Sequence, residues 1–240
     1  MTVRTSVFSV CFVAALASMA LATPPTQRLE RVVMSTPGMQ AFVVDLEDWQ
    51  LRILTVRDGT RATSRASEVG KRHAASLVVN GGFFDPQDRS LGLLIDQGKR
   101  INPVRKADWG IFSVSGKEPR ASIVHTRTWR RQKKKVLPEF AIQSGPRLVV
   151  SGRALSLKPH WARRTAIGIQ RGGRKIVVLV SSQSISMTDL AQAFLEIECP
   201  YALNLDGGSS TQLWSPSADV KPVIGLAVPN FVAVFPRHVP

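Results

Sequence analysis

Cysteine is nearly missing from this chain. Of 240 residues only Cys11 and Cys199 are cysteines. Cys11 falls in an N-terminal leader, so an internal disulfide framework is excluded and the fold must rest on its core. Cys199 sits late in an apolar helical pattern with no histidine nearby, the setting of a buried structural thiol rather than a nucleophile. Acidic residues are scarce too, 17 Asp+Glu against 32 Lys+Arg for a net charge of +15. That balance favours anionic partners: phosphate-bearing substrates, cell-surface polymers, lipid or nucleic acid. Histidine is sparse and dispersed, since His73, His125, His160 and His238 show neither His-x-His nor HExxH spacing, and no metallohydrolase signature results. No G-x-S-x-G surrounds Ser209 or Ser210, which removes the usual mark of a serine hydrolase. Past residue 22 no apolar run is long enough to span a bilayer.

The first 22 residues, MTVRTSVFSVCFVAALASMALA, carry a basic start at Arg4, an uncharged apolar run and a small-x-small end at Ala20-Leu21-Ala22. This pattern predicts a signal peptide over 1–22, cleaved before Thr23, and a secreted or periplasmic mature domain over 23–240. The remainder has ordinary globular composition, 44% hydrophobic and 20% charged overall, with no linker and no internal repeat.

Most of the mature chain reads as strands. QAFVVDL (40–46) and QLRILTVR (50–57) predict one hairpin, and RTAIGIQ and KIVVLVS, flanking Arg171-Gly172-Gly173-Arg174, predict another. Shorter strands are expected at 76–79, 91–95, 109–114, 120–124, 147–150, 201–205 and 230–235. Two helices are expected. One covers 63–75, with Ala66, Val69 and His73 on one face and Gly70 weakening it; the other covers 186–199, with a Ser186/Asp189 capping box and Pro200 as its stop. Short strands broken by two helices predict a single α+β domain with mixed, largely antiparallel sheet. The run RTWRRQKKK (127–135), six basic residues in nine, reads as a loop or flexible insertion. One basic run without aromatic-rich motifs is weak evidence for nucleic acid, which is not expected as a partner.

Two glycine pairs share a construction. LVVNGGFFDP (77–86) and ALNLDGGSST (202–211) each run an apolar strand into Asn80 or Asp206, then Gly-Gly, then a distinctive side-chain set. Glycine there lets backbone N–H groups turn toward an anion, although ordinary tight turns do the same without a ligand. A Ser144-Gly145-Pro146 turn opens into a strand carrying Arg147, and Arg163-Arg164 enter another. Arginine's planar fork suits phosphate, while solvated strand-end arginines are the plainer alternative.

In order, NGGFFD (80–85), GLLIDQGKRINP (92–103), DWGIFSV (108–114), QSGPRLV (143–149), RRTAIGI (163–169) and LNLDGGSSTQLW (203–214) resemble the phosphodiester glycosidase family over roughly residues 30–236. The chain departs from it at Ser209, where many relatives carry a third glycine, and in the basic run. The resemblance implies an enzyme that hydrolyses the bond between a sugar's anomeric carbon and a phosphodiester. It places Asp206, Arg164 and Asn80 in catalysis and Gly81, Asp85, Ser144, Gly145, Thr165, Gly207, Gly208, Ser210 and Thr211 in substrate binding. No cofactor is implied, and a structural Ca²⁺ on loop carboxylates stays compatible with the sequence. The chemistry is consistent: a phosphate leaving group is already a stable anion and needs charge stabilisation more than a proton, so one carboxylate suffices, as nucleophile or as base for water. The alternative is a non-catalytic secreted module binding anionic glycopolymers. Such a module gains nothing from a carboxylate at the centre of its site.

Overall fold

The computed structural model describes residues 28–56, 62–132 and 136–237. The expected leader (1–22), the three lysines at 133–135 and residue 238 lie outside the described residues. The chain begins with β1 (Glu30–Val32), β2 (Met39–Asp45) and β3 (Trp49–Thr55), then α1 (Ala66–His73) and β4 (Leu77–Asn80). β5 (Leu94–Asp96), β6 (Lys99–Asn102), β7 (Gly110–Ser115), β8 (Arg120–His125), α2 (Thr126–Arg131) and β9 (Phe140–Ser144) follow. The C-terminal part adds β10 (Arg147–Val150), β11 (Arg153–Ala154), β12 (Ala162–Ile169), β13 (Lys175–Ile185), α3 (Met187–Glu196), β14 (Tyr201–Asn204), β15 (Leu213–Trp214) and β16 (Asn230–Pro236). Three sheets result, with orders β1-β2-β13-β12-β14-β10-β11, β15-β4-β16-β3 and β6-β5-β9-β7-β8. All pairings among the described strands are antiparallel. The expected single α+β domain is what forms.

β12 and β13 make the predicted hairpin, turned by Gly172 and Gly173 at φ of 81° and 72°. The hairpin predicted for 40–57 does not exist. β2 pairs with β1 and β13, whereas β3 pairs with β16 in another sheet. None of residues 46–48 adopts the positive φ that a tight hairpin turn demands, and Leu46 is fully buried with its N–H on the Arg174 carbonyl, so the chain turns a corner between sheets. The strand alternation was legible there; the partner was not.

A central core joins all three sheets, with Phe42, Val44, Ile53, Phe112, Phe140, Ile142, Ile167, Val178, Leu203 and Val232 in one cluster. The outer face of the seven-stranded sheet packs Ala166, Val177 and Leu179 against Leu190, Ala193 and Phe194 of α3. β12 is thus buried on both faces, which explains its unbroken apolar run. α3 starts with the predicted Ser186/Asp189 capping box. Cys199 is buried beside it, and burial pushes its thiol up to about 12, in keeping with an inert core residue. In α1 the buried residues are Ala66, Val69 and Gly70, while His73 is exposed. Gly70 is there for close approach: a Cβ would stand 2.0 Å from the Trp214 ring.

The basic run is not simply a loop. Its first half is α2, capped by His125 Nδ1 accepting from the Arg127 N–H, and Trp129 is buried in a cluster with Leu93, Ile95, Ile111 and Ala141. One aromatic anchor makes this segment a helix with its arginines outward.

Candidate active site

Four strand ends converge on the Asp206 loop, and Asn80 ties them. Asn80, 1% exposed at the end of β4, donates from Nδ2 to the Asp206 carbonyl (2.7 Å). Its Oδ1 accepts from the Thr165 hydroxyl (2.6 Å) and from the Gln212 N–H (3.1 Å). The Asp206 N–H in turn donates to the Gly81 carbonyl (3.1 Å), so both backbone groups of Asp206 are held by the Asn80-Gly81 pair. With its amide committed to the protein at three points, Asn80 positions the carboxylate.

Gly81 and Gly82 bind the next layer. The Gly81 N–H donates to the Asn230 carbonyl (2.9 Å), and the Asn230 amide exchanges hydrogen bonds with Gly82 N–H (2.8 Å) and carbonyl (3.3 Å). A Cβ on Gly81 would lie 2.1 Å from Asn230 Oδ1. Gly81→Ala should therefore cost about 1–3 kcal/mol, the range for forced overpacking, and should shift the Asp206 N–H out of register. A denaturant midpoint unchanged from wild type would contradict this.

Past β14 the chain passes through Asp206 and Gly207 into a 3₁₀ turn, Gly208–Ser210, with Gly208 at φ of 63°. The half-buried Asp206 carboxylate accepts from the Gly207 N–H (2.8 Å) and the Ser210 hydroxyl. Burial pushes its pKa above the ordinary value; those two hydrogen bonds only partly oppose that, and no cation among the described residues offsets it.

Arg164, 3% exposed, lies alongside. A Cβ on Gly207 would fall 3.8 Å from Arg164 Nη1 and 2.9 Å from the Arg163 carbonyl, so the bare Gly207 lets the guanidinium pack beside the Asp206 loop. Arg164 Nη2 donates to the His160 carbonyl and lies 3.0 Å from His160 Nδ1. Burial lowers its pKa, but an arginine so placed keeps its charge at neutral pH. Arg163 is structural, with Nε on the Gly208 carbonyl (3.2 Å) and Nη1 on the Ile224 carbonyl (2.9 Å).

Ser144 and Gly145 enter through β9 and Asn204. Asn204 Nδ2 donates to the Gly145 carbonyl (2.9 Å) and to the Leu205 carbonyl (2.5 Å), and its N–H to the Pro146 carbonyl (3.0 Å). A Cβ on Gly145 would meet Trp109 at 2.8 Å, and Trp109 packs on Phe83 with ring centroids 5.0 Å apart. Four buried side-chain atoms lack a protein partner among the described residues: Ser144 Oγ, Arg164 Nε, Asn204 Oδ1 and Thr211 Oγ1. All four belong to this junction, where the burial of polar side chains is concentrated.

Asp85 stands apart from this set. Its Oδ1 accepts from the Gln87 and Arg89 N–H groups (3.0 and 2.9 Å) and its Oδ2 from Arg89 Nε (2.8 Å); the Arg89 amide, ahead of the other contacts, holds its carboxyl below the ordinary range. Both oxygens are engaged in its own turn. Asn204, Gln212 and Asn230 are hubs that the motif reading passed over, although each is a buried amide within or beside an apolar strand, a signal available in the sequence. Gln212 accepts the Ala66 N–H (2.9 Å) at the start of α1 and donates to the Leu226 carbonyl (2.8 Å). Among the described residues no three His, Cys, Asp or Glu side chains gather as a metal set, and no helix is long and apolar enough to cross a membrane.

A groove of about 540 Å³ lies elsewhere, lined by Glu30, Val33, Gln170, Lys175 and Glu198 among others. Gln170 lies just past the far end of β12 from Arg164, and none of the groove's lining residues is a motif residue.

The sequence profile of the phosphodiester glycosidase family matches residues 73–235, which contain every motif residue above. The uncharacterized protein YigE of Escherichia coli K12 is 27% identical over 155 residues, 59% of this chain and 59% of that protein, so the chain spans well under two thirds of this curated relative. A hypothetical protein from Synechocystis superposes with a TM-score of 0.64 at 16% identity, covering 87% of this chain and 62% of that one. The zebrafish N-acetylglucosamine-1-phosphodiester alpha-N-acetylglucosaminidase catalytic domain, described as auto-inhibited by its pro-peptide, superposes with a TM-score of 0.64 at 14% identity, covering 87% and 82%. At such identities the likeness to these two structures is one of fold, and it is the profile match over most of the chain that assigns it: the chain belongs to the phosphodiester glycosidase family.

Proposed function

We propose that this protein is an exported hydrolase that cleaves the bond between a sugar's anomeric carbon and a phosphodiester. The observation that carries the reading is that one loop presents a half-buried carboxylate, its backbone fixed at both N–H and carbonyl, and has a buried arginine packed against its Gly207. Arg164 and the loop amides draw in the phosphodiester anion, placing the anomeric carbon at Asp206. Asp206 then acts as nucleophile on that carbon or as base for the attacking water. The C1–O bond breaks with its electron pair going to the phosphate, water supplies the new anomeric hydroxyl, and a phosphomonoester leaves. Ser144, Thr211 and Asn204 lie buried behind the loop, where they support its backbone. Family membership supports the reaction class, and the leader pattern supports export.

Incubation with a panel of sugar-1-phosphodiesters should release reducing sugar from at least one of them. Tight binding across the panel without release would favour a polyanion-binding module instead.

A pH profile follows from the burial of Asp206. The ionised form is the active one, so kcat/KM should fall as pH drops through the pKa of Asp206, and the midpoint of that acid limb should lie above the ordinary 3.8. A limb centred at or below 3.8 would remove Asp206 from the titration.

Arg164→Lys should lower kcat/KM by at least ~10-fold with the far-UV spectrum unchanged, because a point ammonium cannot grip phosphate with two parallel N–H groups. Unaltered kinetics would make Arg164 a purely structural residue.

A further inference from the structure

Among the described residues seven large apolar side chains are exposed, and three of them sit on the two segments stapled to the Asp206 loop: Trp161 (65%), Ile224 (73%) and Leu226 (63%). Arg163 makes the staple. It holds the Gly208 carbonyl with Nε and the Ile224 carbonyl with Nη1. The Leu226 N–H donates to the Ser209 carbonyl (2.8 Å), and a Cβ on Gly225 would lie 2.6 Å from the Thr211 carbonyl and 2.7 Å from that of Ser209. The segment around Gly225 therefore lies directly on the loop.

Along this segment burial alternates, with Val223 and Gly225 inward and Ile224 and Leu226 outward. In an ordinary extended surface segment the outward positions are polar; here both are branched aliphatics. Trp161 precedes Arg163 by two residues, the spacing that puts side chains on one side of an extended chain, and its neighbour His160 is held by Arg164. Lys158 and Lys221 lie three residues from Trp161 and Ile224, both exposed and neither paired with a carboxylate among the described residues. An isolated exposed leucine needs no explanation, but three exposed apolar side chains on the two segments tied to the Asp206 loop, with lysines nearby in the chain, form a rim of defined chemistry beside that loop.

We infer that Trp161, Ile224 and Leu226 receive an apolar alcohol on the far side of the phosphate, so that the substrate class is a sugar-1-phosphodiester of an alkyl or isoprenoid chain. This rests on the hydrolase reading above. The charged part of such a ligand is bound at Arg164 and the loop amides, with Lys158 and Lys221 adding long-range attraction, and its chain leaves the pocket across the rim.

The test compares the methyl and n-octyl diesters of N-acetylglucosamine 1-phosphate, both below micelle-forming concentration. The octyl diester should show kcat/KM roughly tenfold or more above the methyl diester, the factor for burying about two methylenes. In the Trp161→Ser/Ile224→Ser/Leu226→Ser variant that ratio should fall to near one, and Ile224→Ser alone should lower it partway. A wild-type ratio near one, or a ratio unchanged in both variants, overturns the inference and leaves the hydrolase reading intact. Should neither diester be hydrolysed, the panel above judges the hydrolase reading, and calorimetric binding of the same two compounds decides the rim: tighter octyl binding lost in the variants supports it, and equal binding overturns it. A dimer that dissociates in the triple variant, with no chain-length preference, would assign the patch to a second copy of the chain and overturn it too.

Discussion

Asp206→Asn is expected to lower kcat/KM on a sugar-1-phosphodiester by at least ~10³, the scale for loss of an essential nucleophile or base. The substitution keeps the side chain's shape. Its carbonyl can still accept the Gly207 N–H, and its amide can reverse the bond to Ser210, so the 3₁₀ turn should survive. The stability effect has the opposite sign. Burial raises the folded-state pKa of Asp206, so the native state holds its proton more tightly than the unfolded chain, and stability is lost as pH rises through that folded pKa. At pH 7 the ionised carboxylate is a cost, and the asparagine variant should melt at the same temperature as wild type or slightly higher. Below an ordinary Asp pKa of about 4 the difference should vanish. Melting curves at pH 7 and pH 3.5, set beside kinetics at pH 7, measure both. Activity and melting temperature falling together would reduce Asp206 to a turn residue.

Asn80→Ala should be the most destabilising of the site substitutions. It strips partners from the Asp206 carbonyl, the Thr165 hydroxyl and the Gln212 N–H in a position only 1% exposed. Each buried group left unsatisfied costs about 1–3 kcal/mol, and with partial relaxation the total should be on the order of 3–5 kcal/mol, in the exceptional tail for single substitutions. Asn80→Asp should do little better. It keeps the acceptor for Thr165 and Gln212, but it sets a second oxygen against the Asp206 carbonyl and introduces a buried negative charge near a carboxylate. Denaturant unfolding reads the stability, and turnover measured well below the transition should still be reduced because Asp206 has lost its tether. A shift under about 1 kcal/mol would mean that the backbone around Asp206 is held by something other than Asn80.

Much of this site was legible because glycine pairs and strand ends announce themselves. NGG and DGG place Asn80 and Asp206 at the mouths of apolar strands, and the two strands do end together. What the sequence could not separate was one loop aspartate from another. Asp85 and Asp206 sit in similar settings, yet Asp85 meets Arg89 four residues later and closes its own turn, whereas Asp206 finds only a hydroxyl and an amide. Asn204, Gln212 and Asn230 were missed because a lone amide near an apolar run looks like strand punctuation until the backbone groups it serves, up to 148 residues away, are known. The pairing of β2 with β13 rather than β3 depends on where Leu46 is buried, a long-range property that alternation does not encode. In the basic run, charge composition masked Trp129, whose core contacts make the segment a helix.

The bond that breaks decides most directly whether Asp206 and Arg164 serve a glycosidase. Hydrolysis of a sugar-1-phosphodiester in ¹⁸O-labelled water, followed by mass spectrometry of both products, should place the label in the released sugar and none in the phosphomonoester, because water or Asp206 attacks the anomeric carbon and the phosphate departs with its bridging oxygen. Label in the phosphate would show attack at phosphorus, the chemistry of a phosphodiesterase, and would contradict the role given to Asp206.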